Sequence, residues 1–214
     1  GRIGAGDCQW MTAGGGIMHE EMPRVAPQAA QGRLAGFQLW VNLPARLKMC
    51  APRYRNIAAA EVPTVEPAPD VRVRVVAGQA VGATGPVHDI AAEPTYMDVS
   101  LEPGATFTQP VPRGQAAFVY VFAGSGVFGR DPAAGARGRS DGEGISAPHL
   151  AVLGDGDTFT ARAGRQPVRY LLVSGGPLGE PIARYGPFVM NTRGEIEQAL
   201  RDLREGTFVY GSKR

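Results

Sequence analysis

The 214 residues carry a formal net charge of +2 with both signs interspersed, so electrostatics nominate neither nucleic acid nor an anionic membrane as a partner. No run of about eighteen apolar residues is present, and no segment reads as a membrane-spanning helix. Cys8 and Cys50 stand alone, without CxxC spacing, which fits a reducing compartment, and the protein is read as cytoplasmic.

The chain opens on GRIGAGDCQWMTAGGG, which reads like the middle of a domain, and the expectation is a piece of a longer protein. Next comes GGGIMHEEMP, residues 14 to 23, holding one of only three histidines beside two carboxylates. A strand over 17–22 would point His19 and Glu21 to the same face and Glu20 to the other. FQLWVNL places Phe37, Leu39, Val41 and Leu43 on one face at strand period. Arg46, Lys48, Arg53 and Arg55 then read as solvated loop charges, because Pro44 and Pro52 interrupt the segment. A domain boundary is expected in the proline-rich EVPTVEPAPD, residues 61 to 70, or slightly before it.

Beyond that point, VRVRVV sets Val71, Val73 and Val75 against Arg72 and Arg74, the alternation of a half-buried strand. YMDVSL (96–101), AFVYVF (117–122), HLAVLG (149–154), DTFTAR (157–162) and VRYLLVS (168–174) continue the series. The irregular tract at 130–148 predicts a mobile loop between strands. Glycine (30) and proline (18) exceed a fifth of the chain and keep the apolar pieces too short for most helices. Short strands with such turns predict an all-β sandwich or barrel. One exception follows: in TRGEIEQALRDLREG, Ile196, Ala199, Leu200 and Leu203 fall at helical spacing, Thr192 and Glu195 have the form of a capping box, and Gly206 is placed to stop the helix.

Most catalytic motifs fail on context. GSGVFG (124–129) satisfies GxGxxG, but no helix follows to receive a pyrophosphate, so it predicts a hairpin turn. HEEMP is not HExxH, which removes the zinc-protease reading. His88 and His149 read as surface residues, and no GxSxG elbow accompanies them. His19 and Glu21 differ by their spacing: one imidazole nitrogen and one carboxylate oxygen side by side suit iron, manganese, nickel, copper or zinc, provided that further ligands exist.

GDCQWMTAGGGIMHEEMP followed by GFQLWVNLPARLKMCAPRY strongly resembles the pirin family of the cupin superfamily, and YGPFVMNTRGEIEQALRDLREGTF resembles the same family's C-terminus. The resemblance covers essentially the whole chain. It implies an all-β bicupin, with tandem β-barrels of which the first is incomplete here. Residues 1–60 would be the remainder of the N-terminal metal-site domain, 61–180 the C-terminal cupin, and 181–214 a helical segment packing back on the first domain. It also implies one mononuclear Fe(II), or another divalent transition metal, held by three histidines and one glutamate. His19 and Glu21 match two of those ligands, where Glu20 replaces the more usual serine between them. The other two, an HxH pair, are absent from this chain and are expected upstream. The second barrel is expected to be metal-free, offering only Gln109 at the corresponding position.

Two functions are implied. One is quercetin 2,3-dioxygenase activity on a flavonol with O₂, in which Glu21 is both ligand and general base. The other is a non-enzymatic, iron-dependent, redox-sensing regulator that binds a transcription factor or a metabolic enzyme.

Overall fold

In the computed structural model the described residues are 2–22, 35–129 and 144–208. Strands dominate them. In chain order they are β1 (Cys8–Thr12), β2 (Arg53–Ile57), β3 (Thr64–Ala68), β4 (Val71–Ala77), β5 (Gln79–Ala80), β6 (Ala83–Thr84) and β7 (Thr95–Leu101). There follow β8 (Thr106–Pro110), β9 (Ala116–Phe128), β10 (Ile145–Ser146), β11 (His149–Val152), β12 (Thr158–Gly175), β13 (Ala183–Tyr185) and β14 (Phe188–Met190). A helix, α1 (Arg193–Glu205), comes last.

The main sheet has eight strands. Its path runs β10-β9-β12-β7-β4-β3, with β11 also paired to β9 and β8 to β12. Register follows the period-2 pattern of the sequence: Val71, Val73 and Val75 sit opposite Leu101, Val99 and Met97 across the antiparallel β4–β7 pair. Facing residues of an antiparallel pair project to the same side, so one face of the sheet collects these six with Val119, Val121, Tyr170 and Leu172 into a single core. A one-residue slip would send them all to the opposite face. Each of these side chains is at most 3% exposed, and burying one such aliphatic residue contributes about 1.5–3 kcal/mol.

The two pieces expected as DTFTAR and VRYLLVS join into one strand, β12, of 18 residues. Its first half pairs with β8 and its second half with β7, and a register shift against β9 between Ala163 and Val168 lies where the partner changes. The GxGxxG stretch is not a hairpin turn. It continues β9, with Ser125 and Gly126 paired to Ser146 and Ile145 of β10. The loop expected at 130–148 falls mainly on residues 130–143, which lie outside those described. The proline-rich 61–70 contains β3, paired antiparallel to β4.

The chain divides into two units, one formed by Gly1–Trp10 with Arg55–Pro177 and the other by Met11–Tyr54 with Leu178–Arg214. The first contains the main sheet and its core. In the second, β13 and β14 form a hairpin against which α1 packs. The helix begins as expected: Thr192 Oγ1 accepts from the Glu195 amide at 3.3 Å, and Glu195 Oε2 accepts from the Thr192 amide at 2.7 Å. It ends at Gly206, in the left-handed conformation with φ 72°. Of its four apolar positions, Ile196 is buried and Leu203 is exposed.

Two expectations fail in the second unit. Residues 17–22 and 37–43 form no strand. A segment becomes a strand only when it pairs with another, and among the described residues neither segment is paired with a strand. Phe37 (49%) and Trp40 (53%) are partly exposed, and the Arg184 guanidinium lies over the Trp40 ring, 5.3 Å from its centroid.

Candidate metal centre

The loop that carries His19 is set by its glycines. Gly14 lies at φ 52°, and a Cβ there would stand 2.1 Å from the Cys50 carbonyl oxygen. That oxygen accepts a hydrogen bond from the Gly15 amide at 2.9 Å. Only a residue without a side chain lets the loop lie so close at that φ. A second anchor is the capped C-terminal helix, beyond which Phe208 reaches the loop at Gly16 and stacks edge-on against Phe188 at 5.3 Å.

From this turn the chain runs to Met22 without regular structure. His19 Nδ1 nevertheless comes within 3.7 Å of Glu21 Oε1, with the two side chains 38% and 60% exposed. The two donors expected to act together are therefore adjacent, although not through strand geometry. One nitrogen and one carboxylate oxygen at this distance can approach the same cation.

The other histidines are elsewhere. His88 Nδ1 lies 2.6 Å from Asp89 Oδ2 on an exposed turn, and His149 is exposed on β11. Gln109 is buried on β8, where its amide nitrogen donates to the carbonyls of Gln79 and Pro110, both at 3.0 Å. Those bonds give it a packing role. Among the described residues no group of three or more His, Cys, Asp or Glu is placed to hold a metal ion. A mononuclear transition-metal centre requires three or four protein donors. Among the described residues, His19 and Glu21 together offer two donors, too few to fit one by themselves.

Sequence reading missed one charged group altogether. Lys48, expected to be solvated, is only 5% exposed. Its ammonium donates to Asn42 Oδ1, and burial lowers its pKa while the nearby Glu180 and Glu195 carboxylates oppose that shift. Glu180 also accepts from the Ala45 amide at 2.6 Å and from Asn191 Nδ2 at 3.1 Å. No periodicity marks position 48 as buried. In the first unit, a cleft of about 150 Å³ is lined by residues including Asp7, Cys8, Asn56 and Glu61. The Asp7 carboxylate there accepts from the amides of Gly4 and Ala59, which lowers its pKa, and burial raises that of the Cys8 thiol.

Among the described residues no helix is long and apolar enough to cross a membrane. The model of the pirin C-terminal cupin domain matches residues 96–209, and the pirin model matches residues 1–41. A pirin-like protein of Solanum lycopersicum is 40% identical, over 96% of this chain and 66% of its own length. Human pirin is 40% identical, over 95% and 66%. A putative quercetin 2,3-dioxygenase of Pseudomonas aeruginosa is 41% identical, over 96% and 69%. The chain thus spans about two-thirds of the length of these relatives. Among solved structures, a quercetin 2,3-dioxygenase from Acinetobacter baumannii superposes with a TM-score of 0.79 at 32% identity, covering 96% of this chain and 68% of that one. With its predominantly β, cupin-like fold and C-terminal helix, the chain belongs to the pirin family of the cupin superfamily.

Proposed function

We propose that the whole protein, at the length of its relatives, is a metal-dependent dioxygenase of the quercetin 2,3-dioxygenase type, with a flavonol and O₂ as substrates. The observation that carries this reading is the adjacency of His19 Nδ1 and Glu21 Oε1, 3.7 Å apart. Likeness to a quercetin 2,3-dioxygenase over 96% of the chain supports it. On this reading residues 1–60 belong to the metal-site cupin, 61–180 to a second cupin and 181–214 to a helical segment returning to the first. The metal is Fe(II) or another divalent transition ion, and the two remaining histidine donors come from polypeptide upstream of Gly1. The free thiols of Cys8 and Cys50 suit a cytoplasmic protein.

The part that this chain itself plays is narrow. His19 offers an imidazole nitrogen, and Glu21 offers a carboxylate that is exposed enough to take a proton from a phenolic hydroxyl. The test is aerobic incubation of quercetin with the iron-loaded, full-length protein, followed at the visible absorption band. Iron-dependent bleaching is expected, and Glu21→Gln should retain part of the metal while losing turnover. Unchanged turnover in that variant would remove the base role.

A second reading, a non-enzymatic iron-binding regulator with a protein partner, is favoured by the exposure around the pair: Met18 and Met22 are 72% and 70% exposed. Iron bound without any bleaching would select it.

A further inference from the structure

The donor set and its surroundings lead to one conclusion about this chain alone, which rests on reading His19 and Glu21 as metal donors. We infer that the 214-residue chain carries a two-donor half-site at His19 and Glu21, which takes up a divalent transition ion transiently and does not retain it.

Three independent observations carry this. The first is the size of the donor set: two groups 3.7 Å apart, which neither Glu20 between them nor any other described His, Cys, Asp or Glu joins in a group of three placed to hold a metal ion. The undescribed segment nearest in sequence, residues 23–34, is PRVAPQAAQGRL and holds no His, Cys, Asp or Glu at all. The second is solvent. An ion bound at the pair would keep most of its coordination positions on water, and among the described residues the flanking Met18 and Met22 are largely exposed and do not exclude exchange. A retained ion needs both a filled coordination shell and an apolar surround.

The third observation concerns rigidity. Residues 17–22 have no strand neighbour to hold the two side chains in register, so binding must also order them, which lowers affinity further. The second unit is poor in core: Ile196 is its only buried hydrophobic residue among those described.

The experiment is titration of the full 214-residue chain with Co²⁺, followed by calorimetry and by visible absorption, and then dialysis against a chelator with metal and protein quantified. Molar mass is measured in the same samples. Weak binding is expected that His19→Ala and Glu21→Ala each reduce at least tenfold, with a weak, six-coordinate cobalt spectrum and complete loss on dialysis. Both side chains are exposed and lie outside regular structure, so these variants should fold, and circular dichroism checks that.

Stoichiometric cobalt surviving dialysis, with the intense bands of a four- or five-coordinate ion, would overturn the inference while leaving the dioxygenase reading standing. A metal-linked dimer holding one ion per two chains would overturn it as well, since a second copy would then complete the shell. Binding indifferent to both substitutions would overturn the inference together with the donor assignment.

Discussion

The Lys48 ammonium donates a hydrogen bond to Asn42 Oδ1 in the interior of the second unit, where the lysine is only 5% exposed. The carboxylates of Glu180 and Glu195 lie close enough to favour the charged form. Glu180 also takes the Ala45 amide and the Asn191 side chain. One buried cation thus organises a polar node joining residues 42–48 to residues 180–195, in a unit where Ile196 is the buried aliphatic side chain among the described residues.

Removing that cation leaves Asn42 Oδ1 with the Leu43 amide as its donor, at 3.0 Å, and deprives Glu180 and Glu195 of their nearby positive charge. Lys48→Ala should therefore destabilise the chain by about 2 kcal/mol, within the range for a lost hydrogen bond to a charged group. Urea unfolding measures it. A loss below a few tenths of a kcal/mol would show that water replaces the ammonium at no cost. The pH dependence has a definite sign: a lysine pKa lowered by folding means that the unfolded chain binds more protons above the folded value. This group's contribution to stability therefore rises as pH increases from its lowered pKa toward 10.5.

Tyr96 in the first unit acts in the opposite direction. Burial pushes its phenol up to about 12 from 10.0, and negative charge at Cys8 and Asp98 adds to the shift while Arg74 opposes it. A folded pKa above the unfolded one gives stability that is fully present below pH 10 and lost between pH 10 and about 12. The loss should approach roughly 2–3 kcal/mol. Tyr96→Phe should flatten the alkaline limb of a stability profile, and an unaltered limb would exclude this tyrosine as its source.

The loop before His19 depends on Gly14. A methyl group there would meet the Cys50 carbonyl at 2.1 Å, on a backbone with φ 52°. Gly14→Ala should cost about 2 kcal/mol and should disturb the nuclear magnetic resonance signals of His19 more than those of the main sheet. Equal disturbance of β4 and β7 would mean that the effect is not local.

At the helix start, Thr192→Ala removes the oxygen that accepts the Glu195 amide, at an expected cost of about 1 kcal/mol. Hydrogen exchange across Arg193–Glu197 should rise. Hydrogen bonds from Thr192 hold the Glu195 carboxyl below its usual value, so the capping contribution is present at neutral pH and fades as pH falls through that lowered pKa.

The core sheet was legible because its information is local. Val71, Val73 and Val75 alternate with arginines, and their partners Leu101, Val99 and Met97 alternate in their own stretch, so each strand announces both its period and its buried face. The helix was equally legible from Thr192, Glu195 and Gly206. At 37–43 the pattern was present and the strand was not, since pairing is a property of two segments and a sequence shows only one at a time; at 17–22 no alternation marked a strand, and none forms. Lys48 was misread for a related reason. Its burial follows from groups more than a hundred residues away, Glu180 and Glu195, that no window around position 48 contains. His19 and Glu21 lie side by side, 3.7 Å apart, although the strand that would have aligned them does not form.

The place of β12 has a consequence for how the protein is made. In the sheet it lies between β9 and β7, yet it is translated after both. Until residues 158–175 leave the ribosome, the nascent chain can pair β3, β4 and β7 in one sheet and β9 with β10 and β11 in another, and nothing joins them. Those two sheets present open edges for the time that synthesis takes to reach Gly175, on the order of seconds at about 5–20 residues per second. During that interval the half-built sheets are most open to association with other chains, and a ribosome stalled before Thr158 would hold them there.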